Sequence, residues 1–247
     1  MEHYYIDINC DVGEGVGNEK DLFSIISSCN IACGGHAGSY NTMTSVARLA
    51  KRHRIKVGAH PGYPDRENFG RKSLAMSPKD LITTIQDQIA DLMTILDKEN
   101  IPLHHIKAHG ALYNDIAKDK VLAKTFLDAI SPYSDNCFLY VPYGSEIEQL
   151  ALEHGLSIVR EAFADRNYNA DLSLVARTMP NALIEDPKEA FQHLVFMVKN
   201  KAIKTADGEA ITMYAETYCI HGDTASALEI LTYLSDALPK QNIYIKK

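Results

Sequence analysis

Ile106-Lys107-Ala108-His109-Gly110-Ala111-Leu112-Tyr113-Asn114 runs from an apolar residue into a lysine, a histidine, a glycine and a tyrosine, the pattern of a strand ending where a helix begins. Three other stretches repeat the design: Ile31-Ala32-Cys33-Gly34-Gly35-His36-Ala37-Gly38, Val57-Gly58-Ala59-His60-Pro61-Gly62 and Tyr218-Cys219-Ile220-His221-Gly222-Asp223. Each passes from small and apolar residues to a histidine with glycine close by. Imidazoles so far apart along the chain meet only if their strands are parallel neighbours around one mouth.

The intervening sequence supports that arrangement. Tyr4 to Cys10 is rich in β-formers and breaks at Asp11-Val12-Gly13-Glu14-Gly15. A short helix is expected over 21–27, a strand over 29–33, a helix over 41–53 and a third strand over 55–59. Pro78 at the first position and apolar Leu81, Ile85, Ile89, Leu92 and Leu96 at helical spacing mark the next helix. After the strand that ends at Lys107 and His109 come a helix over 115–130, a strand over 137–141, a helix over 146–154 and a strand over 156–162. A long connection then reaches about 186, the length of a lid or an interface. A helix from Pro187 to Asn200, a seventh strand over 211–219 and a helix over 224–238 complete the chain. Strand and helix alternating in this way require parallel pairing with right-handed crossovers. The expected fold is α/β: a seven-stranded parallel βα barrel, TIM-like, with its functional loops at the C-terminal strand ends.

At 247 residues, with 46% hydrophobic and 23% charged residues, the chain suits a single βα-barrel catalytic domain over residues 1–247 with a large core. A formal charge of -7 and no Lys/Arg block argue against nucleic acid or an acidic membrane as partner. Cys10, Cys29, Cys33, Cys137 and Cys219 are odd in number and scattered, which reads as reduced thiols. The N-terminal residues lack a signal-peptide pattern and no stretch is long enough to span a bilayer, so a cytoplasmic enzyme is expected.

One histidine on an apolar run is as often a hydrogen-bonded core residue as a catalyst. His36, His60, His109 and His221 together favour proton transfer or metal binding, with His36, His60 and His109 as the candidate ligands. Asp11, Glu14, Glu161 and Asp165 add carboxylates at other strand ends, where the bland alternative is capping or pairing with Arg66, Arg71 or Arg166. Lys107 suits an anion or a developing negative charge, or else an ion pair with Asp11 or Glu161. Tyr113 is a candidate donor, and Asp65, Arg66, Arg71 and Asp223 lie in loops of the kind that carry function. The catalytic candidates are therefore Asp11, Glu14, His60, Lys107, His109 and Glu161. Asp65, Arg66, Arg71, Tyr113, Asp165, Arg166, His221 and Asp223 are candidates for holding substrate or phosphate. The glycines at 13, 15 and 17 match no nucleotide fingerprint.

These motifs, with Gly58-Ala59-His60-Pro61-Gly62-Tyr63-Pro64-Asp65, Phe69-Gly70-Arg71 and Glu161-Ala162-Phe163-Ala164-Asp165-Arg166, resemble over nearly the whole chain the lactam-utilisation protein family of 5-oxoprolinase A subunits. The sequence departs from the family pattern at Ala108, Lys72 and 171–177. The resemblance implies a barrel of the glycoside hydrolase/deacetylase superfamily type. It also implies ATP-dependent opening of 5-oxo-L-proline to L-glutamate, with Mg-ATP, in a complex with two other 5-oxoprolinase subunits. Two alternatives stand beside it: a stand-alone metal-dependent deacetylase-like hydrolase holding a divalent ion at the histidines, and a non-catalytic substrate-binding subunit.

Overall fold

The computed structural model describes residues 2–223 and 226–247. Six strands pair side by side in chain order: β1 (Tyr4–Val12), β2 (Ser28–Ala32), β3 (Lys56–His60), β4 (Leu103–Ile106), β5 (Phe138–Pro142) and β6 (Ile158–Phe163). After a separate antiparallel hairpin of β7 (Ala202–Lys204) and β8 (Ala210–Thr212), β9 (Thr217–His221) pairs in parallel with both β6 and β1 and closes the barrel. The seven-stranded parallel barrel expected from the sequence is the fold. Its register sets Asp11 opposite Asn30 on one side and His221 on the other, so the strand ends form one rim.

Helices α1 (Glu19–Leu22), α2 (Tyr40–His53), α3 (Pro78–Glu99), α4 (Gly110–Ile116), α5 (Lys120–Ile130), α6 (Glu146–Glu153), α7 (Pro187–Asn200) and α8 (Ala227–Ala237) link the strands. Ser39, Ser77, Asp119, Ser145 and Asp186 start five of them by accepting a first-turn N–H on the side chain. The Asp119 cap explains why the helix expected over 115–130 is two helices, since it begins a new one at Lys120. The strand expected from Ile211 begins only at Thr217. A turn at Gly208, φ +87°, folds the chain back so that Ile211 pairs with Ile203 instead of with the barrel. Helix α1 ends earlier than expected, and β10 (Ile243–Ile245), absent from the sequence reading, pairs with the start of β1. The expected start of the last helix, Thr224, lies outside the described residues. No helix among the described residues is long and apolar enough to cross a membrane.

The hydrophobic core lies between the sheet and the helices, and the barrel interior is polar. On β1, Ile6, Ile8, Cys10 and Val12 are buried in the core, while the alternate residues Asp7, Asn9 and Asp11 bond to other strands. Many of these bonds cross the barrel. Asn9 Nδ2 donates to Glu161 on β6 (2.9 Å), His105 Nε2 on β4 donates to Asn30 Oδ1 on β2 (2.6 Å), and the Tyr140 ring on β5 stacks on His105 at 3.9 Å. Nearer the base, Asp7 Oδ1 accepts from Ser28 and Thr217 (both 2.7 Å). Branched aliphatics usually fill such barrels; here a hydrogen-bonded column does. All five cysteines are buried and free, and Cys219, packed among the core residues, also meets this column, its Sγ accepting from Lys107 Nζ at 3.1 Å.

The column leaves no spare room at Gly58, where an added methyl group would overlap the His105 imidazole. That ring is held by Asn30 and Tyr140 and has nowhere to turn. Gly58→Ala is expected to destabilise the chain by about 1–3 kcal/mol, the usual range for overpacking, read as a fall in the urea midpoint; an unchanged midpoint would show that the ring is free to move.

Candidate active site at the barrel mouth

Lys107, one residue past β4, forms the floor of the site. Its ammonium, 2% exposed, lies 3.0 Å from Asp11 Oδ1 and 3.0 Å from Glu161 Oε1. Burial alone would lower its pKa, but Asp11, the Cys219 sulfur and Glu161 hold it well above the ordinary lysine value. Asn30 Nδ2 also donates to Asp11 Oδ1 (2.7 Å), leaving Oδ2 to face His60 Nε2 at 3.4 Å. Burial would raise the Asp11 carboxyl; His60 and Lys107 instead hold it well below the usual carboxylate range. Asp11 is therefore an ionised carboxylate with one oxygen fixed and one facing the imidazoles.

Above this floor Glu14, His36, His60 and His109 gather, with one ligand atom from each inside a 4.8 Å span. The loop after β1 makes this possible: Gly13 adopts φ +75°, a conformation glycine takes freely, and the turn returns Glu14 to within 3.0 Å of His36 Nε2. His60 Nδ1 donates to the Lys107 carbonyl (2.9 Å) and His109 Nε2 donates to the Phe69 carbonyl (2.9 Å). Phe69 supplies that acceptor from a left-handed backbone, φ +56°, at a steric cost of about 1–2 kcal/mol. Each carbonyl fixes a tautomer. The remaining nitrogens, His60 Nε2 and His109 Nδ1, then turn lone pairs toward each other across 3.0 Å. Two lone pairs at that distance call for a proton or a cation between them.

The donor set fits a metal ion. One carboxylate and three imidazoles suit zinc or a similar divalent ion, and the bonds from His60 and His109 to backbone carbonyls are the outer-shell contacts that orient metal-bound histidines. His36 Nδ1 is buried without a hydrogen-bond partner, so that ring is held by Glu14 and by stacking on His109 at 3.4 Å. Burial and the neighbouring imidazoles push the His36 and His109 pKa values far down, and burial with Asp11 and Asp223 pushes Glu14 up to about 9.

Over the cluster opens a cleft of about 630 Å³. The candidates Asp11, Glu14, His60, Lys107 and His109 line its inner part, and Arg71, Tyr113, Arg166, His221 and Asp223 line its sides. Glu161 is fully within the floor, and Asp165 lies behind His221, bonding to its backbone N–H and its ring (both 2.9 Å). His221 thus faces the same cleft but stacks on Phe163 instead of joining the other imidazoles. Asp65 and Arg66 are not brought to the cleft. Asp65 Oδ1 accepts from Asn68 within its own loop, and Arg66 donates to the Gly38 carbonyl. Arg71 pairs with Asp223. Gly222 between His221 and Asp223 has no room for a side chain, because it packs on the Asp11 carbonyl.

The sequence reading missed Asn9, Asn30, His105 and Cys219, which hold the floor, and Lys72 and Arg177 at the rim. The signal for the floor was present. Asp7, Asn9 and Asp11, like His105, Lys107 and His109, recur at every second position, which in a strand places them on one face.

The buried Asp165 is held below the ordinary carboxylate value: burial opposes this, and His221 with Arg166 outweighs it. A depressed pKa contributes stability above the unfolded value of about 3.9 and loses it as pH falls through the folded value. Asp165→Asn should therefore destabilise the chain at neutral pH by about 1–3 kcal/mol. The gap to wild type should close as pH drops below about 4. Denaturant unfolding at several pH values measures this, and a pH-independent gap would remove the charge from the account.

A profile described as the LamB/YcsF family matches residues 6–247. The 5-oxoprolinase A subunit of Haemophilus influenzae is 39% identical over 240 residues, covering 97% of this chain and 98% of that protein. Its counterpart from Pyrococcus furiosus is 37% identical over 245 residues, covering 97% and 96%. The crystal structure of the lactam utilization protein from Thermus thermophilus superposes with a TM-score of 0.90 at 36% identity, covering 98% of this chain and 99% of that one. Barrel, strand-end motifs and near-complete overlap agree: the chain belongs to the LamB/YcsF family.

Proposed function

We propose that this chain is the A subunit of an ATP-dependent 5-oxoprolinase, which opens 5-oxo-L-proline to L-glutamate as ATP becomes ADP and phosphate, in a cytoplasmic complex with two other subunits. The names of relatives that match end to end support this, and so does one observation: a carboxylate, Asp11, kept ionised at the foot of a cleft by His60 and Lys107. The amide of an unstrained lactam resists water, and its nitrogen is a poor leaving group. Transfer of the γ-phosphoryl group to the lactam oxygen gives an imidate phosphate and ADP. Water guided by Asp11 Oδ2 then adds to the ring carbon. The proton held between His60 Nε2 and His109 Nδ1 passes to the nitrogen, the C–N bond breaks, and a second water converts the resulting acyl phosphate to glutamate and phosphate. Lys107 and the Tyr113 hydroxyl offset charge on the oxygen as it develops.

The four-donor cluster favours a second reading, metal-assisted amide hydrolysis. Glu14, His36, His60 and His109 would hold the ion, which supplies Lewis-acid polarisation of a carbonyl. In this case Asp11 still orients water and Lys107 still fixes Asp11.

The separating experiment is 5-oxoproline-dependent ADP release by this chain alone and with its partner subunits. Release that needs the partners and, with Mg-ATP supplied, is unchanged after the chain has first been stripped of transition metal supports the first reading. Amide hydrolysis by the chain alone, lost on chelation and restored by zinc, manganese or cobalt, supports the second. In the reconstituted complex Asp11→Asn is expected to cut turnover by about 10²–10⁴-fold with an unchanged circular dichroism spectrum. Near-normal turnover would remove Asp11 from the chemistry.

A further inference from the structure

The charges around the cleft are unequally matched. Lys107 is matched by Asp11 and Glu161, and Arg71 by Asp223. Arg166 is buried and spends donors on the carbonyls of Val175 (2.6 Å) and Ala182 (3.2 Å). Arg177 is half-buried, lines the cleft, and has no hydrogen bond or ion pair among the described residues. Its position is nevertheless fixed. Arg166 grips the Val175 carbonyl two residues away, Val175 N–H donates to the Asn167 carbonyl (2.9 Å), and Met179 N–H closes a turn onto Ala176 (2.8 Å). Lys72, also on the rim, is likewise without an acidic partner among the described residues.

A guanidinium held at a cleft wall without a counter-ion is poised for an anion, and its planar fork matches a carboxylate. We infer that Arg177 is the residue that selects the substrate's carboxylate, binding a lactam whose ring carbon next to nitrogen carries an acid, while Arg166 positions it. This deepens the lactam reading and rests on it. In that pose the carboxylate sits at the rim and the ring reaches inward. There the Tyr113 hydroxyl, buried on the cleft wall beside Glu161, can meet the amide.

The test is calorimetric binding of 5-oxo-L-proline, its uncharged primary amide and inorganic triphosphate to the assembled complex, for wild type, Arg177→Met and Arg177→Lys. Wild type should prefer the acid over the amide by about ten- to a hundredfold, as one charge-assisted pair gives. Arg177→Met should reduce that preference to within about twofold while leaving affinity for the amide unchanged, and Arg177→Lys should keep part of it. A general loss of folding would weaken both ligands together, so the ratio separates recognition from stability. Wild-type preference retained in Arg177→Met overturns the inference and leaves the lactam reading intact. Loss of triphosphate binding with the acid preference unchanged also overturns it, assigning the rim to phosphate. If neither lactam binds to wild type, the lactam reading falls and takes this assignment with it.

Discussion

A charged amine inside a barrel is the condition on which the rest of this structure depends. Removing an ammonium or a carboxylate from water costs several kcal/mol per ion even after relaxation, and attraction offsets that only when every partner is in place. Around Lys107 they are: two carboxylates at 3.0 Å, a sulfur at 3.1 Å and a second ring of amides behind them. The direction of each bond is set by its neighbours. Asn30 gives both N–H groups, to Asn9 and Asp11, so its oxygen must accept from His105, and Asn9 in turn gives to Glu161 and Thr217. One substitution leaves a charge or an amide unmatched several residues away.

This explains what could be read from the chain and what could not. The outer strand faces and the helices follow apolar periodicity, so the barrel and most of its elements were legible, as were the glycine-flanked histidines at the strand ends. The interior was harder: the alternation puts Asp7, Asn9 and Asp11 on one face, but polar residues within strands usually signal a solvent-facing side, and nothing local shows that this face is buried inside the barrel as well. Strands β7 and β8 are three residues each, too short for alternation to show. The rim was least legible of all. Arg66 and Arg177 are both loop arginines in sequence, yet one binds a backbone carbonyl on the surface and the other faces the cleft, a difference made by how Arg166 folds its connection.

A division of labour follows from that placement. The strands supply Asp11, His60, Lys107 and Glu161 or the positions next to them, and these side chains are fixed by bonds across the barrel. The loops supply Arg71, Arg177 and Asp223, which line the cleft and take no part in the bonds across the barrel. Chemistry carried by the first group requires little rearrangement when substrate arrives, which is the condition for electrostatic stabilisation to be effective. Selectivity carried by the second group can change without disturbing it.

The two functional readings are then two occupants of one gap. The carbonyls of Lys107 and Phe69 fix the tautomers of His60 and His109, so the facing nitrogens accept whatever positive charge lies between them. A proton there leaves Glu14 to face the nearby Asp11 charge, which together with burial is why its carboxyl is pushed up to about 9 and stays protonated at neutral pH. A divalent cation reverses the balance, since its charge favours an ionised Glu14 and turns a carboxylic acid into a ligand. Glu14 is accordingly the group whose protonation tells the occupants apart, and it reaches the cluster because Gly13 turns the loop that carries it.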